Sequence, residues 1–209
     1  ACFAAFCAAP AVRARAPPRT RPAGCPEHLK NDPSEDVRRS VANNLNDISK
    51  DHPQVVIDTL RRWQAEDSPE MRALIAHALR TLIKAGNPDA LALLGYGAAG
   101  RVIVGKLQVE PEVIAIGESL TLTFEVQSTA DVPQDLMIDY ILHLAGAKGK
   151  PRSKVFKLAK RTLAPGERTA IRKVHSFKPV TTRNYYPGPH AIEVQINGAV
   201  CGRVEFTLI

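Results

Sequence analysis

Long apolar runs are absent from the 209 residues, and no stretch approaches the roughly 18 consecutive apolar positions of a membrane-spanning helix. A spanning segment is excluded, and a soluble, cytoplasmic protein is expected. Cysteine is sparse: of Cys2, Cys7, Cys25 and Cys201, three fall in the first 26 residues, and no pair has the C-x-x-C spacing of a zinc or dithiol site. His28, His52, His77, His143, His175 and His190 are scattered without ligand spacing. No metal and no cofactor are therefore expected. A G-x-x-x-x-G-K phosphate loop is also missing, as is any local Ser/His/Asp or Cys/His arrangement for nucleophilic catalysis.

Acidic residues are absent from positions 1–26, where Ala, Pro and Arg dominate and no initiator Met stands. This leader reads as disordered or aberrant, an artefact of chain start or reading frame, with an Arg-rich transit peptide as the competing reading. The remaining charge is uneven. Residues 27–97 hold 9 basic against 11 acidic side chains, and residues 98–209 hold 15 against 10. Within 143–183 there are 12 Lys/Arg and a single acid, Glu167, which is the strongest signal in the chain.

Asp32-Pro33-Ser34-Glu35 supplies a capping carboxylate, a proline for the first helical position and a glutamate for the first turn, predicting a helix over about 34–49. Val37, Val41, Leu45 and Ile48 form its buried stripe. The pattern returns 34 residues later, with Ser68-Pro69-Glu70 opening a helix that carries Met71, Ile75, Leu79 and Leu82. Shorter helices are predicted from His52-Pro53 through Trp63 and from Asn87-Pro88 to Gly95.

Opposite the stripe, Arg39, Ser40, Asn43, Asn46 and Asp47 match His77, Arg80 and Thr81 in angle, defining one shared surface. A solvated helix face would look the same. Two features point to function. Three asparagines inside a helix each cost roughly half a kcal/mol relative to alanine, for amides the helix does not itself need. Asp47 lies in the last turn, where the helix dipole disfavours a carboxylate. A simple ion pair between Asp47 and Lys50 remains the alternative.

From Leu107 the period changes to two. Leu120 to Val126, Leu136 to Leu144, Ile192 to Ile196 and Val200 to Leu208 alternate apolar with polar residues. Turns are read at Ile116-Gly117-Glu118, Pro165-Gly166-Glu167 and Asn197-Gly198. With weaker strands near 107–113, 154–162 and 168–176, about seven strands fit an immunoglobulin-like antiparallel sandwich. A single cysteine in this region cannot form the inter-sheet disulfide of secreted immunoglobulin domains, which fits a reducing compartment. The fold class is α+β in two domains: leader 1–26, helical repeats 27–97, linker 98–106 and sandwich 107–209.

The basic run surrounds two connections. Lys148, Lys150, Arg152 and Lys154 fall in a Gly/Pro-containing turn, and Lys178, Arg183, Tyr185 and Tyr186 in a loop from Ser176 to Gly188. Cations on such turns suit phosphate contacts, because neutralising a phosphate releases counterions, and a loop with Arg183, Tyr185 and Tyr186 can also enter a groove or stack on a base, which puts Tyr185 in the expected DNA-binding set. Edge-strand protection by lysine is the competing reading of the turn, and one of the two tyrosines is expected to plug the sandwich corner.

The run from Asp32 to Ile48, with Asn43-Asn44-Leu45-Asn46-Asp47 at its end and Asp51-His52-Pro53 after it, resembles bacterial DNA alkylation repair proteins of the AlkC type. The resemblance covers about residues 27–209. It implies a HEAT-like α-solenoid fragment followed by an immunoglobulin-like domain, alkylated duplex DNA as the partner of a monomer, and hydrolysis of the N-glycosidic bond of bases such as 3-methyladenine. It implies Asp47 as the catalytic carboxylate, with Arg38 and Arg39 as phosphate or structural partners. Asn43 and Arg80 join the expected DNA-binding set from the shared helix face. Since about three repeats are needed to bury such faces, two repeats lead to the expectation of a truncated solenoid. The alternative function is a non-catalytic DNA-binding or interaction module.

Overall fold

The computed structural model describes residues 24–97, 101–146, 151–179 and 184–209. Among the described residues six helices come first: α1 (Gly24–Leu29), α2 (Glu35–Ile48), α3 (Pro53–Trp63), α4 (Pro69–Ala78), α5 (Arg80–Lys84) and α6 (Pro88–Leu93), with a 3-10 turn at Gln64–Glu66. Proline opens α3, α4 and α6, where its missing N–H costs nothing. Ser68 Oγ accepts the Met71 N–H and Asn87 Oδ1 accepts the Ala90 N–H, capping α4 and α6. At α2 the expectation needs correcting. Ser34 occupies the cap position and Pro33 lies outside the helix, while Asp32 accepts from the Ser34 backbone N–H at 2.8 Å.

The second repeat differs from the first by a break. Leu79 separates α4 from α5, whereas α2 runs unbroken through its matching positions. The carbonyl of His77, which would serve the Thr81 N–H in a continuous helix, instead accepts Arg80 Nη1 at 2.9 Å. The Thr81 N–H is taken by Asn46 Oδ1 at 3.2 Å. Asn46 is 2% exposed, so it leaves the surface face on which its angle placed it. Its amide serves the fold, contrary to the reading from helix propensity. Asn46→Ala is expected to cost on the order of 1–3 kcal/mol, the penalty of a buried donor without an acceptor. Chemical denaturation compared with Asn44→Ala, at a half-buried position, checks this.

Eight strands follow among the described residues: β1 (Val102–Glu110), β2 (Val113–Ile114), β3 (Ser119–Ser128), β4 (Gln134–Leu144), β5 (Arg152–Leu163), β6 (Arg168–Ser176), β7 (Gly188–Ile196) and β8 (Ala199–Leu208). They form sheets of order β1-β3-β6 and β2-β8-β7-β4-β5. Part of the stretch expected as linker, 102–106, is strand. Asn197 and Gly198 both take positive φ, the two-residue turn whose twist matches the β7–β8 hairpin. Phe124, Leu136, Tyr140, Ile192, Val194 and Phe206 fill the space between the sheets, and the Tyr140 hydroxyl is satisfied by His175 Nδ1 at 2.7 Å.

Helices and sandwich share a seam. Met137 points from β4 into the helical core built around Leu60, Trp63, Leu79 and Leu91. Asn197 Oδ1 accepts the Met137 N–H and its Nδ2 donates to the Asp135 carbonyl, tying the hairpin turn to β4 beside the helices. The backbones of Gly86 and Gly198 meet directly, close enough that a Cβ on either would lie within 3 Å of the other's main chain.

Candidate nucleic-acid interface

On the helices, Arg39, Asn43 and Asp47 lie exposed along α2, each about one turn from the next, because residues three to four apart share a helix face. Asn43 Oδ1 pairs with His77 Nε2 at 2.9 Å, joining equivalent positions of the two repeats. Burial, then the charges of Arg80 and Arg39, hold His77 below the usual imidazole range, so it stays neutral near pH 7. Asp47 is 68% exposed and paired with Lys50 at 2.7 Å. That hydrogen bond, with the charges of Lys50 and Arg80, keeps its carboxyl below the ordinary range and ionised. Arg38 is committed elsewhere: Nη1 donates to the carbonyls of Asp32 and Pro33 at 2.7 and 2.9 Å, holding the segment before α2. Arg38, Arg39 and His77, with Glu35 and Glu70, line an open groove of about 420 Å³ between α2 and α4.

On the sandwich, β5 and β6 are the outermost strands of their sheets, so two successive edges form one flank. The flank carries Arg152, Lys154, Lys157, Lys160 and Arg161 on β5 and Arg168, Arg172 and Lys173 on β6, all exposed. Unpaired edges explain part of this lysine content. Arg152 and Lys154 belong to β5 itself and not to the preceding turn. Arg152 Nη2 donates to the Asn184 carbonyl at 3.0 Å, and Lys154 Nζ lies 5.4 Å from the centre of the Phe156 ring. Lys178 is exposed. Tyr185 is a correction: its ring is buried and packs edge-on against Phe177 at 5.2 Å, so it is the structural member of the tyrosine pair. Lys148, Lys150 and Arg183 lie outside the described residues.

The two basic rows meet at the seam. Arg80 and Lys84 stand one turn apart on α5, and against the burial that raises the Asp139 carboxyl the charges of Lys157 of β5 and Lys84 pull it down, which places both lysines near it. Lys160, next along β5, sits 5.7 Å from the centre of the Tyr96 ring at the end of the helical segment. Sequence reasoning missed Lys84, Lys157 and Lys160 as a group. Their proximity depends on β5 register, which shifts at a bulge opposite Ile138 and Asp139. Among the described residues no group of three or more His, Cys, Asp or Glu could hold a metal ion, and no helix is long and apolar enough to cross a membrane.

A helical segment leading into two sheets of this order, antiparallel except for the short β2 that joins β8 in parallel where an all-antiparallel sandwich was expected, defines an α+β chain ending in an immunoglobulin-like domain. Residues 103–209 match the family described as "Uncharacterised protein YhaZ, C-terminal Ig-like domain", and the chain belongs to that family. It is 40% identical over 180 residues to the uncharacterized protein YhaZ of Bacillus subtilis (strain 168), covering 86% of this chain and 50% of that protein. The fold is similar to that of Pseudomonas fluorescens alkylpurine DNA glycosylase AlkC bound to DNA containing an abasic site analog. There the TM-score is 0.85 at 43% identity, over 90% of this chain and 52% of that one. The AlkC-type resemblance of the α2 motif thus extends over 90% of the chain. The chain spans about half the length of both relatives.

Proposed function

We propose that this chain grips duplex DNA as part of an AlkC-type alkylation repair protein. In this reading the helices are a HEAT-like solenoid fragment, and the chain divides into helical repeats and sandwich. The observation that carries it is the meeting of the two basic rows: Arg39 and Arg80 on the helices lead through Lys84 to Lys157 and Lys160. Cations that continue across two structural layers suit a phosphate backbone, whereas edge protection would leave the helices out. Likeness to a glycosylase that has been seen on DNA supports the choice of partner. Asp47, ionised and flanked by Lys50 and Arg80, is the carboxylate available to stabilise the cationic sugar that forms as an alkylated base leaves. A non-catalytic DNA-binding role is the second reading, favoured by the exposure of Asp47 and its ion pair with Lys50.

Release of free base from alkylated duplex, with duplex binding measured in parallel across salt, tests both readings. Base release establishes the repair activity, and salt-sensitive binding without release favours the second reading. Binding that ignores salt removes the phosphate-backbone model. Replacing Lys84, Lys157 and Lys160 together by alanine is expected to lower the slope of log affinity against log salt by roughly 2–3, at about 0.9 for each phosphate no longer neutralised. Replacing exposed Lys106, paired with Glu125 on the other sheet, is the control and should leave the slope unchanged.

A further inference from the structure

At the seam, on the outer face of the five-stranded sheet, two neighbouring side chains each hold a buried oxygen without a donor. Asp139 of β4 and Gln195 of β7 are register partners, so their side chains leave the same face with Cβ atoms roughly 4.5–5.5 Å apart. Both residues are 5% exposed, and neither Asp139 Oδ1 nor Gln195 Oε1 has a hydrogen-bond partner. The amide of Gln195 cannot simply be turned over. Its Nε2 donates to the Gly198 carbonyl at 2.9 Å, and a reversed amide would set two oxygens against each other there. The backbone N–H of Leu158, the extra residue of the β5 bulge, draws the Asp139 carboxyl down from the other side. A buried acceptor without a donor is unfavourable, and here two stand on adjacent residues of neighbouring strands. One proton satisfies both.

We propose that Asp139 is held as a neutral carboxylic acid whose O–H donates to Gln195 Oε1, a cross-strand bond that closes the sheet beneath the helices and leaves Lys84 and Lys157 un-neutralised above it. The surroundings agree. Burial pushes the Asp139 carboxyl up, against the opposing pull of Lys157 of β5, the Leu158 N–H and Lys84 of α5. One pair further along the same face in either direction stand Lys160, opposite Met137, and Glu193, opposite Ile141. Ionised, Asp139 would offset the two lysines that join the basic rows. Protonated, it leaves the cationic surface intact and removes a buried charge from the seam. This inference does not depend on which polyanion the surface binds.

The test follows the Asp139 carboxyl carbon by NMR in the intact chain from pH 3 to 8, assigned through its own backbone. A carboxyl held neutral at pH 7 requires a midpoint above 7, against the ordinary 3.8. In Gln195→Met, which keeps bulk and removes the acceptor, the midpoint should move down; Gln195→Asn, too short to reach, serves if that variant does not fold. Denaturation supplies the linked sign. Because the folded midpoint lies above the unfolded one, the stability of the wild type relative to Asp139→Asn is greatest below pH 3.8. It falls as pH rises to the folded midpoint, then levels. A carboxyl that titrates below neutral pH overturns the proposal, and that is the result an ionised Asp139 bridged by water would give. A raised midpoint that neither Gln195 variant moves also overturns it, since burial alone then accounts for the proton.

Discussion

Asp47→Asn is expected to lower release of alkylated base by about 100-fold or more while leaving duplex affinity within about twofold. Removing one preorganised electrostatic stabiliser of a developing charge typically has an effect of this size. The asparagine keeps the shape of the side chain and loses the negative charge that a cationic sugar would need beside it. Because Asp47 is exposed, its loss should not disturb packing; Lys50 loses a partner at the surface, where such pairs contribute little. Affinity and rate therefore separate. Release at the wild-type rate would take Asp47 out of the mechanism, and loss of binding together with release would make it part of the grip. The measurement is single-turnover base release on alkylated duplex, with binding titrated on the same substrate.

Gly198→Ala carries the largest expected loss of stability, about 2–5 kcal/mol. Two costs combine: an L-residue at φ +82° is strained, and the new methyl group would sit 2.7–2.8 Å from the Gly86 carbonyl oxygen, the Gly86 Cα and Leu91 Cδ1. Backbone opposes it on one side and a core leucine on the other, so relief requires the α5–α6 turn to move away from the β7–β8 hairpin. Gly166→Ala, which shares positive φ but meets nothing within 4 Å, isolates the conformational part. Thermal or urea denaturation of the two variants separates strain from collision. Equal losses would show that the Gly86–Gly198 approach contributes nothing.

Local patterns were legible wherever a residue's partner lies within one turn or one strand. The proline-led starts of α3, α4 and α6, the alternation along β3, β4, β7 and β8, and the Asn197-Gly198 turn all belong to this class. What failed needed a distant partner. The burial of Asn46 depends on a helix break 33 residues away, and nothing in either repeat alone marks Leu79 as the breaking point. Tyr185 is buried because Phe177 lies across the corner, a contact that loop composition cannot supply. The basic run was visible as charge, but its division among β5, β6 and the seam with α5 follows from strand order and a bulge. Asp47, Arg39 and Arg80 share a surface as the helical angles required, and Arg38 shows the limit of that reasoning, since its guanidinium turns back onto the chain before α2.

Met137 carries a consequence of its own. A strand residue that completes the helical core makes each layer a condition of the other's folding: pulling the helices away would uncover an apolar face on the sheet, and fraying β4 would open a hole among Leu60, Leu79 and Leu91. The boundary that composition draws near residue 100 is thus a change of secondary structure and not a thermodynamic joint. Helices and sandwich are set to melt as one cooperative body, and the angle between their cationic rows is fixed before any polyanion arrives.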